Sequence, residues 1–259
     1  MLGIKKWSFL STFLLLTVSL FAQAGATAPA TTSETAAIPR LPDGKPDLNG
    51  VWNHPYVPDM AKSSQRGGMS QEGPGELPFT PEALAAFQKY NPAVDGDYTG
   101  SCLPFGYLRS FNAPYPIQIM QTPKYLSFLF EQNTWFHVVR MNQEHPADLN
   151  PTWFGDSVGK WDGDTLVIDT IGFNGKTRLD TVGHPHSDAL HVIQELRRLD
   201  GEHLYVKMTI IDPKTFTKPW SNTRVFQLMK PGQELMEYSC EENNRDFTQG
   251  HIKEPVYNK

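Results

Sequence analysis

Short apolar segments separated by tight turns fill the second half of the chain, and they restrict its fold more than any other feature. Asp-Gly pairs at 162–163 and 200–201, and Lys230-Pro-Gly-Gln further on, are turn signals typical of β-hairpins. Strands joined by hairpins are antiparallel, and many such strands without alternating helices form a meander. The strand candidates are 125–131, 135–141, 166–173, 190–198, 204–212, 223–229 and 235–240. The sequence therefore predicts an all-β fold, closed as an antiparallel barrel or folded as a sandwich.

Residues 54–116 differ from this pattern because they are rich in proline and glycine and poor in core residues. We expect them to cover the barrel as an irregular segment with one or two short helices. A helix is predicted at 80–90, since Thr80 can cap it, Pro81 suits the first helical position and Glu82 adds an acid to the first turn.

The N-terminus has the three parts of a secretory signal peptide: Lys5 and Lys6, an apolar run over 7–21, and a small-residue cleavage site at 22–24. A retained membrane anchor is the alternative, but the run is shorter than the ~20 apolar residues that a span needs. We predict a secreted or periplasmic protein. Its parts are a signal peptide at 1–24, a flexible tether at 25–47 and a single barrel domain at 48–259.

Charge and cysteine content narrow the partners and the compartment. Losing Lys5 and Lys6 with the signal peptide takes the formal net charge from −5 to −7, which gives no electrostatic reason to bind nucleic acid or, after cleavage, a membrane surface. In an oxidising compartment Cys102 and Cys240 are expected to form a disulfide, worth about 4 kcal/mol in the chain-entropy model. Two buried, unpaired thiols are the alternative.

Gly50-x-Trp52 opens the first strand candidate and resembles the opening strand of lipocalins and related calycin barrels. In that fold the tryptophan closes one end of the barrel and a late arginine packs across its ring. The resemblance implies a lipocalin-like antiparallel barrel, in which Arg224 or Arg245 takes that position.

A longer resemblance covers nearly all of the chain after the signal peptide. The chain is similar to a family of secreted bacterial proteins through Pro-Asp-Gly-Lys-Pro-Asp-Leu-x-Gly-x-Trp at 42–52, and both cysteines fit the family pattern. The other shared elements are His145-Pro146, Trp153, Gly155-x-Ser157-x-Gly159, Trp161-x-Gly-Asp-Thr-Leu-Val, Gly-His-Pro-His-Ser at 183–187 and Leu190-His191-Val192. The family has an acid followed by arginine shortly after, where this chain has Gln194-Glu195. The resemblance implies export and brings no reaction with it.

The histidine block at 184–191 is the most suggestive chemical feature. His184, His186 and His191 fall within eight residues, and histidine serves as a general acid or base near neutral pH and as a metal ligand. Three histidines plus water is a known zinc pattern, but the spacing matches no closed motif. An ordered polar loop at the barrel rim is the simpler interpretation.

Gly155-x-Ser157-x-Gly159 matches the nucleophile elbow of serine hydrolases. An elbow needs a strand before the serine and a helix after it, whereas a turn followed by a strand is predicted after Ser157. We therefore favour a glycine-flanked turn in which Ser157 donates hydrogen bonds.

Acid and base candidates outside the block are Glu131, His137, His145, Asp169 and Tyr238. The alternation of its strand places Asp169 with Val167 and Ile171 on a mostly apolar face, which keeps it as a candidate. Inside the barrel, burial would raise its pKa towards the working range of a general acid or base, whereas outside it would be an ordinary solvated residue. The solvated alternative stays open for each candidate. The many aromatic residues line a pocket for a flat, apolar ligand or simply fill the core.

The leading hypothesis is an exported enzyme without a cofactor, which binds a small hydrophobic, aromatic molecule in the barrel and performs lyase, isomerase or hydratase chemistry. The predicted catalytic residues are His186, His191, Asp169, Glu131, Tyr238 and Ser157. The predicted ligand contacts are His137, His145, Trp153, Trp161, His184 and Gln194. The alternatives are a non-catalytic carrier of a hydrophobic ligand and a metal enzyme built on the histidine block. The sequence does not give the oligomeric state.

Overall fold

The computed structural model describes residues 37–97, 100 and 102–242. The predicted signal peptide, residues 25–36 of the tether, and Arg245 lie outside the described residues. In the described part, the strands are β1 (Gly50–Asn53), β2 (Ser64–Arg66), β3 (Met69–Glu72), β4 (Ile117–Gln121), β5 (Tyr125–Phe130), β6 (Phe136–Met141), β7 (Asp156–Asp162), β8 (Thr165–Ile171), β9 (His191–Arg198), β10 (His203–Ile211) and β11 (Trp220–Leu228). The helices are α1 (Pro81–Lys89), α2 (Pro92–Asp95) and α3 (Tyr107–Ser110), with a 3-10 turn at Gln132–Thr134.

Nine strands close into a barrel in the order β1, β4 to β11 and back to β1, which confirms the predicted all-β barrel. The closure joins Trp52 to Leu228 and Asn53 to Gln227. The β2–β3 hairpin extends the sheet along the rest of that edge of β11, where Thr223 pairs with Glu72. Among the described residues, no helix has the length and apolar character to cross a membrane.

The barrel is antiparallel except at one pair, so the prediction of a fully antiparallel barrel is wrong there. Strands β6 and β7 run parallel, with Val139 opposite Ser157. A parallel pair needs a crossover of about a dozen residues or more, and residues 142–155 supply one. This crossover brings His145 onto the outer face of the barrel wall.

The Asp-Gly turns at 162–163 and 200–201 connect β7 to β8 and β9 to β10, as predicted. The third predicted hairpin is wrong, because residues 235–240 form no strand. The edge of β11 that they would need is already paired with β1 and β3. These residues run instead towards the disulfide between Cys102 and Cys240, whose Cα atoms are 5.5 Å apart.

The covering segment contributes one helix of predicted form and one that packs inward. Thr80 caps α1 by accepting from the N–H of Ala83, as the sequence indicates. All four residues of α3 are buried. Gly106 precedes α3 with φ +87°, and a Cβ atom there would lie 2.5 Å from Oγ1 of Thr177, so only glycine fits this approach.

Trp52 is fully buried, and the guanidinium that packs on its ring, 4.9 Å from the centroid, belongs to Arg198 at the end of β9. The assignment to Arg224 is therefore wrong. Arg224 points into the barrel, where it donates to the carbonyl of Phe111 and the side chain of Asn112 beyond α3. Burial lowers the pKa of Arg224 to about 9.

Candidate functional site

Strands β6 to β9 carry polar side chains on both faces of the barrel wall. Successive residues of a strand point to opposite faces, so adjacent positions of β7 and β8 belong to different clusters. We call these the inner cluster (Tyr107, His137, Ser157, Thr170 and Gln194) and the outer cluster (Arg140, His145, Asp156, Asp169 and His191).

The inner cluster is a buried hydrogen-bonded network that ties α3 to the barrel interior. His137 Nε2 lies 2.6 Å from Ser157 Oγ, which lies 2.6 Å from Thr170 Oγ1. The hydroxyl of Tyr107 donates to Gln194 Oε1, and its ring packs 4.6 Å from that of His137. All five side chains are buried, so each depends on these partners in place of water.

Burial keeps the inner cluster uncharged at neutral pH. It lowers the pKa of His137 to about 4 and raises the pKa of Tyr107 above its usual range. Ser157 lies within β7, so both the elbow and the glycine-flanked turn are wrong for it. A neutral imidazole beside a serine resembles a nucleophile and its base, but Ser157 is only 2% exposed. The arrangement fits anchoring of α3 better than chemistry on a diffusing substrate.

The outer cluster is a continuous chain of carboxylates and imidazoles. His191 Nε2 donates to Asp169 Oδ2 at 2.7 Å, and His145 Nε2 lies 2.9 Å from Asp169 Oδ1. On its other side, His145 Nδ1 lies 2.6 Å from Asp156 Oδ1, which also accepts from Arg140 at 2.8 Å. The chain therefore crosses four strands on a half-exposed surface.

His191 and Asp169 are the reactive end of this chain. The hydrogen bond that His191 donates to Asp169 raises the pKa of His191 and lowers the pKa of Asp169, so it favours the charged form of each. Their side chains are 33% and 38% exposed. Nδ1 of His191 has no hydrogen-bond partner among the described residues. The pairing agrees with the predicted histidine–carboxylate pair, and of the two positions open to Asp169 the interior one with a raised pKa is wrong.

Aliphatic side chains flank the pair on the same face. Ile193 stands directly opposite Asp169, and Ile211 stands directly opposite His191. Both isoleucines are half-buried. The charged pair therefore lies next to an apolar surface that a hydrophobic molecule can contact.

The three histidines of the 184–191 block do not converge. His184 Nδ1 lies 2.6 Å from Asp180 Oδ2, whereas His186 Nε2 lies 2.7 Å from Thr177 Oγ1. His191 is on the outer wall with the carboxylate described above. Since only His191 lies on a strand, the block has no common face, and neither a three-histidine metal site nor joint catalysis by His186 and His191 has a geometric basis.

The remaining predicted residues lie apart from both clusters. Glu131 is buried and accepts from a backbone N–H of the C-terminal segment at 2.8 Å. The ring of Tyr238 packs 5.2 Å from another tyrosine ring. Trp153 and Trp161 each lie under a lysine ammonium, at 5.9 Å and 5.7 Å. None of these four contacts His191 or Asp169.

Sequence reasoning missed Tyr107, Arg140, Asp156 and Thr170. Asp156 and Thr170 could have been found from the alternation of strand residues between the two faces, because each is next to a candidate residue, Ser157 or Asp169. The same alternation along β6 places Arg140 on the face opposite to His137. Tyr107 carried no such signal, since it enters the barrel from an irregular segment.

No protein-family model matches the chain, and no curated protein matches it. The resemblances to secreted bacterial proteins and to lipocalins therefore stay predictions.

Proposed function

We propose that this chain is an exported enzyme, independent of a cofactor, in which His191 and Asp169 transfer protons to and from a small hydrophobic molecule. One observation carries the proposal: His191 is hydrogen-bonded to a carboxylate through Nε2, while Nδ1, on a partly exposed side chain, has no partner in the part of the chain that the structure describes. Imidazoles that act as general acids or bases are held in this way by a carboxylate on the far nitrogen.

The charges define the direction of the first step. Asp169 raises the pKa of His191 and so favours its protonated form, from which Nδ1–H donates to the substrate as a general acid. The neutral ring that results takes a proton back from another position of the substrate or from water. Asp169 stays ionised and stabilises the protonated ring between turnovers. This sequence supports lyase, isomerase or hydratase reactions.

The substrate class follows from the neighbouring side chains. A molecule that reaches Nδ1 of His191 rests beside Ile193 and Ile211, so contact with its apolar part removes aliphatic surface from water. The proposed binding surface is the outer face of β8 to β10, in place of the barrel interior.

Export is part of the proposal. The disulfide between Cys102 and Cys240 supports it, because such bonds persist in oxidising compartments. Expression of the full chain in a bacterium, followed by fractionation and intact-mass measurement, tests it. We expect periplasmic protein that begins at residue 25. Cytoplasmic protein that retains Met1 contradicts export, and membrane-bound protein favours the retained anchor.

Turnover is tested by incubating the purified protein with a bacterial metabolite extract in deuterated water, followed by mass spectrometry. We expect one or more small hydrophobic compounds to gain deuterium, or to gain or lose water. His191→Ala and Asp169→Asn should abolish the change. His203→Ala is the matched control, because His203 is also paired with a surface aspartate, Asp200. A change that survives in His191→Ala, or the absence of any change, contradicts the proposal.

A carrier is the second candidate, and one observation favours it. A cavity of about 250 Å³ is lined by Tyr56, Phe105 and Tyr115, which suits a small aromatic molecule. Titration with anilinonaphthalene sulfonate tests it. Binding that Tyr115→Ala weakens, without turnover in the extract, favours a carrier over an enzyme.

A further inference from the structure

We infer that Asp59, Asp180 and His184 form a binding site for a divalent transition metal, of which zinc is the best fit. One ligand atom of each residue lies within 4.8 Å of the other two. The site is separate from the outer cluster and shares no residue with it, so it goes beyond the proposed function and does not depend on it.

The backbone holds the three ligands in place before any metal binds. The N–H of Met60, next to Asp59, donates to Asp180 Oδ2 at 2.9 Å. The N–H of Val182 donates to the carbonyl of Pro58 at 3.0 Å. The turn that carries Asp59 and the loop that carries the other two ligands are therefore joined directly, which reduces the entropy lost on binding.

The proposed ligand atoms of Asp180 and His184 already lie within hydrogen-bond distance of each other. His184 Nδ1 lies 2.6 Å from Asp180 Oδ2, and the imidazole is wedged against Phe87, with 4.5 Å between ring centroids. A metal bound here replaces the hydrogen bond between these two atoms, while Met60 still donates to the carboxylate.

Charge and ligand type select the ion. Two carboxylates neutralise a divalent cation, and the buried imidazole adds a nitrogen ligand. Mixed nitrogen and oxygen ligands suit zinc, whereas calcium and magnesium prefer oxygen alone. Three protein ligands leave one tetrahedral position for water, as in catalytic zinc sites.

Lys62 competes with a metal for Asp59. Its ammonium lies 3.0 Å from Asp59 Oδ2, and its side chain is 77% exposed. Binding must displace this ion pair, which is weak because it is so exposed. Removing the lysine charge should therefore strengthen metal binding without disturbing the core.

The test is isothermal titration calorimetry of chelator-treated, tag-free protein with Zn²⁺, and separately with Ca²⁺. We expect one Zn²⁺ per chain and weaker Ca²⁺ binding. Asp59→Asn should weaken Zn²⁺ binding by about tenfold or more, and Lys62→Met should strengthen it.

Asp200→Asn is the matched control, because Asp200 is a partly exposed aspartate that is paired with a histidine but lies outside the proposed site. It should leave Zn²⁺ affinity unchanged. Asp59 is only partly buried, so its substitution should preserve the fold even where changes at Asp180 do not. Absence of Zn²⁺ binding, or equal binding by Asp59→Asn and the parent protein, overturns the inference.

Discussion

Asp169 and Thr170 are consecutive residues of β8, yet their side chains belong to separate networks on opposite faces of one wall. Asp169 Oδ2 accepts from His191 on the outer face, and Thr170 Oγ1 lies 2.6 Å from Ser157 on the inner face. Because the two networks share backbone but no side-chain contact, substitutions at these two positions should have separable effects.

Asp169→Asn should lower the pKa of His191 towards the ordinary histidine value of about 6.5, because the hydrogen bond that His191 donates to the carboxylate is the main cause of its elevation. An NMR titration of the imidazole measures this. Asp200→Asn should leave the pKa of His191 unchanged, and a pKa that stays high in Asp169→Asn contradicts the assigned contact.

Thr170→Val should cost about 1–3 kcal/mol of unfolding free energy, because it leaves the buried hydroxyl of Ser157 with one partner fewer. Urea denaturation measures the loss. Thr209→Val is the matched control, since its bond to Ser221 is only partly buried and should matter less. Equal losses in the two variants contradict the inner network, and the pKa of His191 should not move in either.

Acidification should destabilise the protein through His137. The unfolded chain takes up a proton near pH 6.5, whereas burial delays protonation of folded His137 to about pH 4, so stability falls as the pH falls through this window. The loss from this residue at pH 5 is about 2 kcal/mol. His137→Gln should flatten the dependence measured by urea denaturation, and the remaining slope comes partly from His54, whose pKa burial also lowers to about 4. An unchanged slope contradicts the prediction.

Gly106→Ala should destabilise the protein by about 1–3 kcal/mol, because its Cβ would lie 2.5 Å from Thr177 at a positive φ. Gly44→Ala is the control: it has a similar φ of +81° but open space around it. Thermal unfolding compares the two. If both variants lose the same unfolding free energy, the loss comes from backbone strain at positive φ and the close packing before α3 contributes nothing.

The period-two alternation predicted β5, β6, β8, β9 and β10 well, and Asp-Gly pairs mark the turns before β8 and between β9 and β10. It missed β7, because the glycines on both sides of Ser157 indicated a turn there. It did not reveal which face of β8 lies inside. Leu166 and Ile168 point inward while Val167 and Ile171 point outward, so both faces are aliphatic and the pattern is ambiguous at Asp169.

Contacts between distant parts of the chain were harder to predict. Local sequence does not distinguish Arg198 from Arg224 as the partner of Trp52, because the choice depends on which strand end faces that ring. Likewise, no local feature of residues 142–155 specifies that they cross over and make β7 parallel to β6. The pairing of His191 with Asp169 was predictable as chemistry, but its place on the wall was not.

The barrel closes through only two residue pairs between β1 and β11, Trp52 with Leu228 and Asn53 with Gln227. These partners lie near opposite ends of the described chain, so forming the seam carries a large loop-closure entropy and should come late in folding. Until then, both edge strands expose unpaired backbone groups that can pair with another chain. The shortest ladder of the barrel is thus where slow folding and aggregation are expected to compete.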